Sequence, residues 1–249
     1  MLKIKSFSIK TRLIIFLAGF AVFLSIRDRD LFFLFTIAIT LLSAIIADLT
    51  FSYFRDKSFV VSESSVVSAL IIGFVLASDN PWWVISLAAI FAIISKHLIR
   101  FNKKHIFNPA AFGVFLSIIF LGANTQWKGT FLWYILVPAG LYFTYKIRKL
   151  ELIAGYLITA LGLFGIQAAV NKVSLINIFG YLSYFYIFIM LIEPKTTPIK
   201  PLAKLVFGIA AAILIFIFIQ AQFRFDSELA ALLILNLFVP LLNRIPQKL

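Results

Sequence analysis

Ten apolar stretches follow one another along this chain and together demand a membrane: Leu13–Ile26, Leu31–Ala47, Ser64–Ala77, Trp82–Ile94, Ala110–Leu121, Phe131–Tyr145, Leu152–Val170, Ile176–Ile192, Leu205–Gln220 and Leu229–Leu242. Hydrophobic residues fill 62% of the 249 positions, against about half in a soluble domain. Charged residues are 13% and sit between the apolar runs, not along helix faces. The fold class this dictates is an all-α polytopic membrane protein of about ten transmembrane helices. A straight helix needs ~20 residues to cross a bilayer core. The shorter runs are therefore half-helices, or their ends extend further, and the third is a candidate re-entrant segment. The run Leu13–Ile26 follows lysines as a signal peptide would, but lacks a small-x-small cleavage site and is expected to be the first span.

The net charge of +13 would point to nucleic acid in a soluble protein. Here topology accounts for it, and no nucleic-acid partner is implied. With the N-terminus inside and all ten runs crossing, 18 basic residues fall inside, among them Lys3, Lys5, Lys103 and Lys248, and 5 fall outside. That is the positive-inside bias of a multi-pass protein of the cell membrane with both termini cytoplasmic. The basic loop from Lys96 to His105 anchors the chain and attracts anionic lipid of the bilayer. The absence of cysteine excludes disulfides and thiolate metal sites. Ten spans suggest one integral membrane domain, residues 1–249, in two five-helix halves, 1–123 and 124–249. An odd number per half makes the halves inverted repeats, with broken or short helices at the third and eighth segments.

Two breaks in the apolar text are the candidate functional corners. One is Ile192-Glu193-Pro194-Lys195-Thr196-Thr197-Pro198. Proline removes a donor and clashes with a continuing helix, so the eighth segment stops at the glutamate and leaves polar groups near the membrane. Irregular backbone at that depth survives only when buried in protein or lining a cavity. The other break runs from Asn102 to Pro109, where Asn108 should cap a helix and Pro109 take its first position. In the third segment Ser65, Ala69, Gly73 and Ala77 form a stripe of small residues four apart, with Ser64 and Ser68 beside it. The stripe serves helix packing or makes a thin wall beside a flat bound group. Ser62 is placed to cap that helix, with Glu63 at its positive end. Trp127, in the polar loop after the fifth segment, suits the interfacial belt. Asp48 and Glu193 stand at segment ends, where carboxylates mark ion paths or simply reach water. His97 and His105 lack a nearby acid in sequence, so no metal site is expected. No Walker loop, nucleotide fingerprint, zinc helix or nucleophile elbow is present, and no catalytic residue is nominated.

Several motifs together carry a family resemblance. Lys96-His97 followed by Ile106-Phe107-Asn108-Pro109-Ala110 resembles a segment of the RnfD proteins of Rnf electron-transport complexes and the NqrB proteins of the sodium-pumping NADH:quinone oxidoreductase. The turn Glu193 to Pro198, the stretch Ser68 to Ala77 and Asn80-Pro81-Trp82-Trp83 are similar to that family in order and spacing, over roughly Ser62 to Gly208. The resemblance implies two inverted five-helix halves and a flavin-binding subunit that works with other membrane redox subunits, coupled in some members to ion movement. It implies ligand contacts at Ser68, Gly73, Asn108, Pro109, Glu193, Lys195, Thr196 and Thr197. Typical members attach FMN to a threonine in an outer stretch like Ser-Gly-Ala-Thr. The outer loop here offers Ala123-Asn124-Thr125 instead, so a non-covalent flavin, FMN or riboflavin, is expected. The missing threonine and the small-residue stripe motivate the alternative of a small-solute channel or permease on the same scaffold. A structural subunit with a degenerate site is the third reading.

Overall fold

Capped helices of matched polarity build the molecule, whose structure is a computed structural model describing residues 7–101 and 104–244. Of the basic residues expected inside, Lys3, Lys5, Lys103 and Lys248 lie outside the described residues, as does Asn102. The elements are α1 (Ile9–Asp28), α2 (Leu31–Asp56), α3 (Glu63–Val75), α4 (Trp82–Leu98) and α5 (Pro109–Leu121), then α6 (Trp133–Lys146) and α7 (Leu150–Val170). A 3₁₀ helix (Leu175–Tyr181) and a short helical stretch over residues 184–190 follow, then α8 (Pro201–Gln220) and α9 (Ser227–Leu242). The chain is an all-α polytopic membrane protein. By length and composition α1, α2, α7 and α8 can each cross a membrane, while α3, α4, α5 and α9 are shorter apolar helices.

Side-chain caps fix several starts. Ser8 accepts from Thr11 N, Asp30 from Phe33 N, Asn108 from Ala111 N and Asp226 from Leu229 N, each at 3.0 Å. Helix α2 continues beyond the expected Ala47 because Asp48 is paired inside the protein and does not end it. The eighth apolar segment is two pieces, not one helix: it breaks at Leu182 and Ser183 and resumes with a π-helical turn at Tyr186–Met190. The basic loop closes as a two-residue hairpin, Arg100–Phe101 (β1) against Lys104–His105 (β2).

The halves repeat their packing. In the first, α2 lies against α4, α4 against α5, and α1 against α3; in the second, α7 lies against α8, α8 against α9, and α6 against the π-helical turn. Close approach needs glycine at one crossing in each half. A Cβ on Gly113 of α5 would strike the Ala88 carbonyl of α4, and one on Gly208 of α8 the Leu152 carbonyl of α7. End contacts fix the direction of each half. The starts of α1, α3, α5 and α8 and the ends of α2, α4 and α9 meet at one end of the molecule, which carries the basic residues. The start of α9 and the ends of α1 and α3 meet the 122–132 loop at the opposite end. Thus α1 starts at the basic end and α6 finishes there, and the second half runs opposite to the first.

Candidate functional site

Helix α3 is the centre of the site. Nine of its 13 residues are buried, and α1, α2, α4 and α5 surround it. Its start meets the start of α1, where Ser8 and Thr11 bond Glu63, and its first turns face the corner where the 184–190 stretch ends. That corner is built from side chains. Pro194 stops the helix, and Thr197 turns back so that its Oγ1 donates to the Glu193 carbonyl at 2.7 Å. Thr196 Oγ1 donates to Glu193 Oε2 at 3.1 Å, and His105 Nε2 meets Glu193 Oε1 at 3.2 Å. Asn236, fully buried in α9, locks the corner to α5. Its Oδ1 accepts from Asn108 N at 2.7 Å and its Nδ2 donates to the Thr196 carbonyl at 2.9 Å. Asn108 Nδ2 reaches the Met190 carbonyl at 3.3 Å. Lys149, buried before α7, donates to the Pro198 carbonyl at 2.5 Å.

A cavity of about 110 Å³ lies between α1, α3, the Asn108 cap, α6 and this corner. Leu13, Ile71, Phe143, Phe188 and Ile189 form its apolar walls; Lys10, Ser64, Ser68, Asn108, Glu193 and Lys195 supply its polar edge. Burial, reinforced by Lys10, holds the Lys195 ammonium below the usual lysine range. Burial, reinforced by Lys204, brings Lys149 down to about 8.

Of the residues nominated from sequence, Ser68, Asn108, Glu193 and Lys195 line this one cavity. Thr196 and Thr197 are buried behind Glu193 and hold it in place. Pro109 is buried at the first position of α5, where its missing N–H costs nothing. Gly73 points elsewhere. A Cβ there would meet Ile37 Cδ1 of α2 at 2.5 Å, so the small-residue stripe serves packing at that position. Ser62 begins α3 without a side-chain cap, because its hydroxyl joins a separate polar cluster. There Asp48 Oδ1 meets Lys96 Nζ at 3.0 Å and His97 Nε2 at 2.8 Å, and Ser62 N donates to Oδ2 at 2.9 Å. The two histidines thus serve different carboxylates. Trp127 leaves the interfacial belt expected of it: its ring packs on Phe185 and Tyr186, and its Nε1 donates to Asp226 at 2.8 Å.

Sequence reasoning missed Asn236, His105 as the partner of Glu193, and Lys149. Asn236 had a signal, a lone amide inside the apolar run Leu229–Leu242. The other two partners are set by folding across 88 and 49 residues.

Fold and site define a class: a polytopic helical membrane protein whose broken helix ends frame a polar-edged cavity at its basic end. Within that class the chain belongs to the NQR2, RnfD, RnfE family, which its sequence matches over residues 3–133 and 129–249. It is also similar to the D subunit of the ion-translocating oxidoreductase complex of Shewanella piezotolerans, 46% identical over 67 residues. That stretch is 26% of this chain and 19% of the relative.

Proposed function

We propose that this chain is a flavin-binding membrane subunit of an ion-translocating electron-transport complex, and that the corner cavity holds the flavin, FMN or riboflavin, non-covalently. The observation that carries the reading is convergence: Ser68, Asn108 and the pair Glu193 and Lys195, from three separate stretches of sequence, border one cavity in a member of this family. The donor set suits the ring system, which has two apolar faces and a hydrogen-bonding edge. Phe143, Phe188, Leu13 and Ile71 supply apolar walls, and Asn108, Ser68 and Lys195 supply polar groups at the rim. At about 110 Å³ the enclosed part is smaller than the ~300–1,000 Å³ of common ligand sites, so part of the group would lie in the mouth. A flavin would supply one- and two-electron transfer. The chain's own residues bind and orient it: Thr196, Thr197 and His105 fix Glu193, and Asn236 fixes Asn108.

The interior favours this reading over a conduit for solute. Beyond the cavity, toward the opposite end, Phe74 stacks on Phe185 at 5.0 Å, and Trp127 and Tyr156 close on Tyr186. The partners are other membrane redox subunits; the relative's name makes that protein one subunit, D, of an ion-translocating oxidoreductase complex. The basic end faces the cytoplasm of the cell membrane. Because the chain has no cysteine, single variants report the orientation: Lys57→Cys should label only from the cytoplasmic side and Lys172→Cys only from outside.

The spectrum of the purified protein, before and after acid precipitation, tests the function. The expected result is flavin absorbance that acid releases into the supernatant. Absence of flavin, with or without added riboflavin or FMN, overturns the reading.

A further inference from the structure

A second cavity, of about 330 Å³, shares Pro194 and Lys195 with the first. Its floor is buried and polar, from His105, Thr197 and Asn236; its rim is exposed and cationic, from Lys104, Lys195 and Arg244. No Asp or Glu lines it among the described residues, and its three rim cations form no ion pair among those residues. The nearest carboxylate, Glu193, is held by His105 and Thr196.

Gathering like charges around one hollow is unfavourable unless something negative enters it. Lys195 registers that field: burial and the charges of Lys10, Arg100 and Lys104 disfavour its ammonium, against the opposing pull of Glu193. Two cations elsewhere at this end have an acid of their own, Lys96 with Asp48 and Lys204 with Glu151. The positive-inside rule explains why cations are at this end, but not why these three are left without acids around a cavity. An arginine fork and two lysine point charges match a multi-oxygen anion with a broad charge, as a phosphate has. Val239 and Pro240 add an apolar side to the same cavity, which an inorganic ion would not use and an ester would.

We propose that this cavity binds the phosphate of a phosphate ester, with Lys104, Lys195 and Arg244 as its cationic contacts. The site goes beyond the flavin reading and needs no flavin next door. A phospholipid headgroup and a soluble phosphate monoester present the same chemistry.

The test uses the full chain in neutral detergent, depleted of lipid, with unfolding followed by tryptophan fluorescence. Dioleoylphosphatidylglycerol in mixed micelles and glycerol 1-phosphate in solution are the probes; dioleoylphosphatidylcholine and glycerol are the controls. A probe that binds the folded state raises the midpoint in a concentration-dependent way. The expected result is a rise with a phosphate probe and none with its control, weakened by salt. Arg244→Gln and Lys104→Gln should each raise the half-saturating concentration by ~10-fold, the cost of one charge-assisted hydrogen bond. A rise with phosphatidylglycerol alone assigns the lipid; a rise with glycerol 1-phosphate assigns the soluble ester. No rise with either, or a rise that both variants retain in full, overturns the proposal. Lys104 and Arg244 do not line the first cavity, so flavin release measured on the same variants tells the failure of one site from the failure of the other.

Discussion

Two corners of this molecule solve the same problem in different ways. At the basic end, the 184–190 stretch breaks off beside the start of α5; at the opposite end, α3 breaks off near the start of α9. Each break strands backbone carbonyls that a bilayer would not hydrate. The opposite corner satisfies them with more backbone. The chain from Asn124 to Lys128 lies along the end of α3, with Gln126 N on the Val75 carbonyl at 2.8 Å and Lys128 N on the Phe74 carbonyl at 2.7 Å. Ala77 N returns a bond to the Asn124 carbonyl at 3.0 Å. Asn80 clamps the pair through Ala77 and both backbone groups of Asn124, at 2.7–2.9 Å. The basic corner uses side chains instead: Asn108, Thr197, Asn236 and Lys149. Backbone laid against a helix end satisfies it along its length. Side chains reach in from the flanks and leave room, and the cavity beside Glu193 is that room.

This contrast can be broken most forcefully at Asn236. Asn236→Ala orphans the Asn108 amide and the Thr196 carbonyl, and is expected to cost about 4 kcal/mol, since each buried orphan costs ~1–3 kcal/mol. Hydrogen exchange should quicken over residues 190–200 and stay unchanged over 122–128. Equal acceleration at both corners would mean they are not independent. Asn80→Ala is the mirror experiment. It removes the clamp but leaves the backbone pairing, so a loss of about 2 kcal/mol is expected, with flavin release unaffected.

Alkali sharpens the comparison further. Burial holds Lys149 at about 8, while an unfolded lysine titrates near ~10.4. Between those values the unfolded chain binds more protons, so stability rises with pH across that window. The gain should be about 1 kcal/mol from pH 8 to 9, and Lys149→Met should abolish it. The opposite corner provides the control, since its Lys128 is paired with Asp30 at 2.7 Å. The smallest effect is expected from Thr197→Val, which loses one side-chain bond to the Glu193 carbonyl, worth ~1 kcal/mol. Thermal unfolding in detergent reads both.

Much of the site was legible because its signals are local. The Asn108–Pro109 start of α5 is written in two adjacent residues, and the corner at Glu193 in the proline beside it. Ser68, Glu193 and Lys195 then follow onto one cavity through the family's motif order. Other features were not legible, for a common reason. Gly73 turned toward Ile37, Ser62 gave up its cap to Asp48 and Lys96, and Trp127 folded inward to Asp226. In each case a partner tens of residues away outcompeted the local preference. The break at Leu182 and Ser183 escaped notice because both neighbouring pieces are equally apolar, and hydropathy cannot see a hinge inside a uniform run.

Hydropathy, caps and prolines by themselves determined that this chain lives in a bilayer, where its helices begin, and where two of them must stop. Those properties depend on transfer from water and on backbone geometry, both settled within a few residues. Only the tertiary structure decided how each stop was satisfied and that Ser68, Asn108, Glu193 and Lys195 border one cavity. That choice depends on which distant donors reach the stranded carbonyls first, and whether they arrive as a length of chain or as the tips of side chains.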